Sequence, residues 1–319
     1  MLTIKVKIVI LFGITVILIL AVFFLLLPST PIIYRQLVPV RNEQNTRVIT
    51  YNVLKDKDCS RIRPLVTLNP TLLVDNNPTK EKQKHLEADT LKKYFPIFNN
   101  EDIRNFKMSD RSIYSTALLF DGEKTAKLIK QILQECFPTT SYFTILDACS
   151  NVGGNALWFA RYFSRVTAVE IDKNECSRLT QNLIHVYKFP NVDVYCDNTL
   201  RILSQPNVKW NAIFFDPPWG GPCYKEIGKL ILGLDGFNVC DIIDWCLDQS
   251  IADCVVLRHP INADTTTRNK KLKTVSFTRK KSMRMLYQLS FWIHPSLKLN
   301  IRTMGNIVAD QIIVPDITW

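Results

Sequence analysis

The chain opens on an apolar run. Residues 8–27 carry no charge, and Thr15 is their single hydrogen-bonding side chain. A helix of that length spans about 30 Å, enough for a bilayer core. Lys5 and Lys7 precede it, a flank that a signal peptide shares. The run exceeds a usual signal core, however, and "LLLPSTP" lacks a small-x-small cleavage site. The pattern therefore predicts an uncleaved transmembrane anchor in residues 1–30. Residues 31–110 show no sustained period. "PSTP", "NPT", "DNNPTK" and "FNNED" mark turns, around one polar helix at "KEKQKHLEADTLKKYF". This stretch reads as a linker or accessory region.

From residue 111 the pattern becomes regular. "GEKTAKLIKQILQECF" sets Ala126, Ile129, Leu133 and Phe137 at helical spacing. Apolar strands then alternate with helices. The strands are "FTILDAC", "RVTAVEID", "VDVYC", "NAIFFD" and "DCVVLRH". The helices are "GNALWFARYF", "KNECSRLTQNLIHVYKF" and "FNVCDIIDWCLD". Near-continuous apolar strands between helices predict a parallel sheet covered on both faces. "KTVSFT" and "MLYQLSFWIHP", joined by "RKKSMR", predict a C-terminal antiparallel hairpin that closes the sheet. The expected fold is α/β and Rossmann-like, with a mostly parallel seven-stranded sheet over residues 111–300. Residues 301–319 are left as an extension.

Composition adds a partner class. With a net charge of +11, the chain favours a polyanion, either nucleic acid or an anionic membrane. A basic protein without such a partner stays open. The nine cysteines include no C-x-x-C pair and no zinc spacing. Several lie in apolar runs (Cys149, Cys196, Cys254) and read as reduced core residues. His85, His185, His259 and His294 form no metal or triad pattern, so no metal is expected. Phe291 and Trp292 read as core.

Candidate chemistry gathers at strand ends, where open α/β sheets bind ligands. Asp147 ends one strand, before Ala148 and the turn through Gly153, Gly154 and Asn155. There is no G-x-G-x-x-G fingerprint. An acid in that place suits a cofactor bearing an amine and a carboxylate rather than a pyrophosphate. Glu170 ends the next strand, where an acid takes a ribose hydroxyl pair, and Asp197 ends the third, in reach of an adenine amine. A tight turn or a solvated acid accounts for each of these taken singly; together they are more specific.

The fourth strand runs into "DPPWGGPCY". An exocyclic amine conjugated to its ring is a poor nucleophile. Asp216 and the Pro217 carbonyl can accept its two hydrogens and draw the nitrogen toward a tetrahedral geometry. Pro217 and Pro218 stiffen the loop. Trp219 offers a face for stacking on a base, worth roughly 1–3 kcal/mol in nucleic-acid sites. This predicts methyl transfer to an amine.

Quoted together, "DACSNVGGN", "VTAVEID", "DPPWGGPCY", "LDGFNV" and "HPINAD" resemble the trimethylguanosine synthases. These S-adenosylmethionine-dependent enzymes methylate the N2 amine of a 7-methylguanosine RNA cap. The resemblance covers residues 123–264. It implies a class I methyltransferase fold and S-adenosylmethionine as cofactor. It further implies Asp147, Ala148, Gly153 and Asn155 in the cofactor loop, Glu170 on the ribose and Asp197 near the adenine. Trp219 would stack on the methylated guanine, with Pro217 and Pro218 shaping the amine pocket. The chain departs from the family at Asn151, where Gly is usual, and at Ile261, where Arg is common. It has Asp121-Gly122-Glu123 in place of Thr-Pro-Glu. Asp216 stands where Ser is common, and Asp there is typical of adenine amino-methyltransferases. Methylation of adenine N6 or of another amine on RNA or DNA therefore stays open, as does a catalytically inactive, membrane-tethered RNA-binding protein on a methyltransferase fold.

Capped RNA is the implied partner. Its phosphates are expected on a basic rim of Arg268, Lys270, Lys271, Lys273, Arg279, Lys280, Lys281 and Arg284, which includes no acid. A solvated hairpin tip explains the same run. With the anchor, the expected localisation is a membrane, catalytic domain on the cytosolic side. A viral member replicating in the cytoplasm suits that arrangement.

Overall fold

The computed structural model describes residues 48–49, 88–96, 100–267, 273–280, 286–297 and 315–318. All lie in Pro39–Trp319, the second of two units into which the chain divides. In chain order they form β1 (Val48–Ile49), α1 (Ala88–Leu91), α2 (Asn100–Asn105), α3 (Asp110–Ser115), α4 (Leu119–Cys136), β2 (Thr144–Asp147), α5 (Ala156–Tyr162), β3 (Arg165–Val169), α6 (Lys173–Thr180), β4 (Val192–Tyr195), α7 (Thr199–Leu203), β5 (Trp210–Phe215), β6 (Ile231–Leu234), β7 (Phe237–Asn238), α8 (Val239–Asp248), β8 (Ala252–Pro260), β9 (Lys273–Lys280), β10 (Leu286–Ile293) and β11 (Pro315–Thr318). A π-helical turn, Gln181–Val186, prolongs α6. A 3-10 turn covers Gly221–Glu226.

The main sheet has the order β11-β9-β10-β8-β5-β2-β3-β4. The five strands from β8 to β4 are parallel. The hairpin expected at the C-terminal side is present: β10 runs antiparallel to both β8 and β9. This is a Rossmann-like α/β arrangement. The expected strand number is corrected from seven to eight, because β11 pairs antiparallel with β9. β11 comes from the stretch read as an extension. It is four residues long and opens on a proline, which an edge strand tolerates and a periodicity reading passes over.

The apolar patterns account for the packing. Every residue of β8 is buried, as a strand covered on both faces requires. α4 turns Ala126, Ile129, Ile132 and Leu133 into the core. Leu91, Phe95, Phe106 and Met108, all before residue 111, join the same core. Three of the helices that follow strands start on side-chain caps: Asp172 for α6, Asn198 for α7 and Asn238 for α8.

The motif "LDGFNV" has a local explanation. Asp235 and Gly236 both have positive φ, 50° and 82°, and connect β6 to β7 as a two-residue hairpin. Asn238 then caps α8. A small separate sheet joins β1, β6 and β7.

Two expectations are corrected. Among the described residues no helix is long and apolar enough to cross a membrane. Residues 8–27, on which the anchor and the membrane localisation rested, lie outside the described residues, and that placement is withdrawn. The reading of all cysteines as reduced also fails for one pair. Cys176 on α6 and Cys196 just after β4 form a disulfide, with Cα atoms 5.5 Å apart. The β3–α6–β4 crossover brings them together, so no short Cys spacing announces the bond. Cys149, Cys240, Cys246 and Cys254 are free thiols.

Candidate active site

The carboxyl ends of the parallel strands carry the predicted acids. Asp147 closes β2 and is fully buried. Neither of its carboxylate oxygens has a hydrogen-bond partner among the described residues. Burial, and then the charge of Asp216, push its pKa up to about 8. Glu170 follows β3 and is also buried. Its two oxygens each accept a backbone N–H, from Asn151 and from Asp172, both at 2.8 Å. Burial still holds its carboxyl above the usual range. Asp197 follows β4, is more exposed, and pairs with Arg201 at 3.4 Å.

The loop between β2 and α5 is braced from several sides. Asn151 sits at φ 48°, in the left-handed region that Asn adopts more readily than most residues. The substitution for glycine therefore leaves the turn intact. Its side chain donates to Thr116 Oγ1 at 3.4 Å. Thr199 donates its hydroxyl to the Ala148 carbonyl. The Asn182 amide donates to the Val152 and Lys107 carbonyls at 3.0 and 2.8 Å. That asparagine lies in the π-helical turn, a local distortion often found at functional sites.

The two glycines of the loop serve packing. At Gly153 (φ 101°) an added Cβ would meet Leu179 and Leu183. At Gly154 it would lie 2.5 Å from Thr116 Cγ2. The family resemblance placed Gly153 in the cofactor loop; here the space beside both glycines is filled by protein.

The fourth strand end differs most from expectation. Asp216 does not stand free. Arg258 Nη1 donates to Asp216 Oδ2 at 3.1 Å, and both side chains are almost wholly enclosed. The same nitrogen lies 3.5 Å from Asn155 Oδ1. The guanidinium packs over the Tyr287 ring, 4.4 Å from its centroid. Burial pushes the Asp216 carboxyl up, and Arg258 opposes that shift. Burial works against the Arg258 charge, but the Asp216 carboxylate holds its pKa above the ordinary guanidinium range.

Beyond Asp216, Pro217 is buried, and Pro218 and Trp219 are half-buried. Gly220 and Gly221 turn the chain with φ 89° and 73°. The Trp219 ring stands edge-on to Tyr224, with centroids 5.4 Å apart and planes at 79°. "HPINAD" explains itself here. The Asn262 amide donates to the Tyr224 and Ile227 carbonyls at 2.8 and 2.7 Å. Asp264 pairs with Lys229 at 2.9 Å. Residues after β8 thus clamp the segment that carries Trp219 and Tyr224.

Asp147, Glu170 and Asp216 are brought within electrostatic reach of one another. Asp197 lies on the β4 side. Of the basic rim, Arg268, Lys270, Lys271, Lys281 and Arg284 lie outside the described residues. Lys273, Arg279 and Lys280 lie on β9, of which the backbone alone is described. Sequence reasoning missed Arg258, although a charge inside "CVVLRH" was a visible signal. It also missed Ile171, an apolar side chain 56% exposed directly after Glu170.

Three carboxyls against the Arg258 charge, with Asp147 unpartnered, suit a ligand that brings positive charge of its own. That condition is met by the ammonium and sulfonium groups of S-adenosylmethionine.

Comparisons with known proteins agree. Residues 142–289 match a family described as RNA cap guanine-N2 methyltransferase. An uncharacterized protein of Acanthamoeba polyphaga mimivirus is 27% identical over 219 residues, covering 62% of this chain and 85% of that protein. The trimethylguanosine synthase of Schizosaccharomyces pombe is 33% identical over 99 residues, covering 30% of this chain and 40% of its own. That of Saccharomyces cerevisiae is 25% identical over 184 residues, covering 55% of each. The chain thus spans about half the length of these two synthases or less.

Proposed function

We propose that this chain, whose residues 142–289 match the RNA cap guanine-N2 methyltransferase family, is an S-adenosylmethionine-dependent methyltransferase that acts on the exocyclic N2 amine of a 7-methylguanosine RNA cap. The observation that carries the reading is the pairing of strand ends. The unpartnered Asp147 of β2 lies beside Asp216, which leads into Pro217, Pro218 and Trp219 after β5.

S-adenosylmethionine supplies the methyl group, on a cationic sulfur. Asp147 would bind its ammonium, and Ala148, Gly153 and Asn155 would contribute the loop around its amino-acid end. Glu170 would take the ribose hydroxyls on the lone pairs its backbone bonds leave. Ile171 would give an apolar wall for the adenine, with Asp197 at its edge. Asp216 would accept one hydrogen of the substrate amine and the Pro217 carbonyl the other. Trp219 would stack on the methylated base, whose positive charge favours an aromatic face. Rate enhancement would come mainly from holding the amine in line with the methyl carbon.

The test is mass spectrometry of a 7-methylguanosine cap analogue after incubation with the purified chain and S-adenosylmethionine. A gain of one or two methyl masses on the base supports the reading; an unchanged analogue opposes it. Asp216 favours a second reading, adenine-N6 methylation. Methyl incorporation into uncapped adenine-containing RNA, with none into the analogue, would establish that one instead.

A further inference from the structure

We propose that Arg258 is a positioning residue for methyl transfer, acting through Asp216: it occupies one carboxylate oxygen so that the other is held toward the substrate amine. The proposal rests on the reading of this pocket as an amine methyltransferase site.

Strand register makes the pair. Phe215 and Leu257 are partners in the parallel β5–β8 ladder, so Asp216 and Arg258 follow as neighbours. In the antiparallel β8–β10 ladder Arg258 faces Leu289, and Tyr287 lies diagonal to it on the same face. The guanidinium is therefore fixed by the Asp216 carboxylate, the Tyr287 ring and Asn155 Oδ1.

Stability alone does not account for such a pair. Buried ion pairs are often matched or bettered by apolar side chains of similar volume. This pair sits at the open end of the sheet, where ligands bind, and next to a second buried acid. Asp216 is faced by Asp147 from β2, Cys149 from the following loop and Arg258 from β8, with Tyr287 of β10 behind the guanidinium. Crowded carboxyls do not all ionise. A fixed cation on Asp216 makes Asp216 the ionised member.

The chemistry requires that state. As the amine nitrogen bonds to the methyl carbon, the electron pair of the carbon–sulfur bond stays on sulfur. One N–H proton must then leave the nitrogen. The oxygen of an ionised Asp216 that Arg258 does not hold receives it and passes it to water. A protonated Asp216 offers no such acceptor.

The experiment is a kinetic cycle on the full chain: wild type, Arg258→Met, Asp216→Asn and the double variant, each followed against pH. Arg258→Met is expected to lower kcat about 100-fold, in the range of a lost electrostatic contact in an active site. Affinity for S-adenosylmethionine is expected to change less than about threefold, and the acidic limb of kcat/KM to move to higher pH. In the Asp216→Asn background the same change is expected to cost less than about threefold, because its target is gone. An equal loss in both backgrounds, or an unmoved acidic limb, would overturn the proposal. Arg258→Lys keeps the charge without the fork. It is expected to keep the limb in place at reduced kcat; if Arg258→Met does not fold, the charge-removing Arg258→Gln takes its place in the cycle. If wild type methylates neither cap analogue nor adenine, the function reading has failed, and the pairing is still decided by carbon-13 NMR of the Asp216 carboxyl. A pKa that rises on Arg258→Met supports the pairing, and an unchanged one refutes it.

Discussion

Asn262 reaches back from the end of β8 to donate to the Tyr224 carbonyl at 2.8 Å, and with the same amide to Ile227 at 2.7 Å. One side chain thus fixes the 3-10 turn that follows the glycine pair. Asn262→Ala removes both donors and leaves two carbonyls to find water. Loss of about 1–3 kcal/mol of folding stability is expected. KM for the cap analogue should rise while calorimetric affinity for S-adenosylmethionine holds, because the clamp supports the Trp219 segment and not the β2 loop.

Trp219→Ala removes the proposed stacking face. Base stacking on an aromatic side chain is worth roughly 1–3 kcal/mol, so affinity for the cap analogue should drop about 10- to 100-fold. Cofactor affinity should persist. Fluorescence titration with the analogue checks this. Undiminished cap binding would remove Trp219 from the site.

Asp147 gives a pH signature. Its folded pKa of about 8 lies above the ordinary 3.8. Between those values the folded state holds a proton that the unfolded state has lost. The stability from this group is fully present below about pH 4 and is lost as pH rises through about 8. Asp147→Asn cannot ionise, so its melting temperature should gain on wild type across that window. Thermal denaturation of the ligand-free protein over that range measures the difference. Cofactor affinity has the opposite slope in wild type. It should weaken as pH falls below about 8 and be uniformly low in the variant.

The Cys176–Cys196 disulfide closes a loop with a sequence separation of 20. Cross-linking a loop of that size stabilises by about 3 kcal/mol. Reductant should lower the melting temperature of wild type by several degrees. The double variant Cys176→Ser/Cys196→Ser should start low and not respond.

The strand-end acids were legible because a parallel sheet writes them plainly: an apolar run, then a carboxylate. Asp147, Glu170, Asp197 and Asp216 each fall at or just past a strand end. Their partners were not legible. Arg258 belongs to Asp216 across a distance of 42 residues, and only sheet order makes them neighbours. Asn182 and Thr199 hold the loop between β2 and α5 from elements whose sequences show caps and periodicity but not targets. "GG" was legible as a place without side chains, but not as a place filled by Thr116, Leu179 and Leu183. "NAD" and "DGF" matched a family pattern before their work was known. One is a clamp and the other a hairpin turn with a helix cap.

The row formed by Asp147, Asp216, Arg258 and Tyr287 has a consequence for assembly. Each residue lies in, or directly follows, a different strand, and side chains alternate faces along a strand. A slip of β8 by one residue against β5 would turn Arg258 to the opposite face and strand its charge in the apolar core. Leaving a buried charge unpaired costs roughly 3–5 kcal/mol, a large part of a domain's stability. The polar row therefore proofreads the sheet: a misregistered intermediate is penalised at the place proposed for the chemistry.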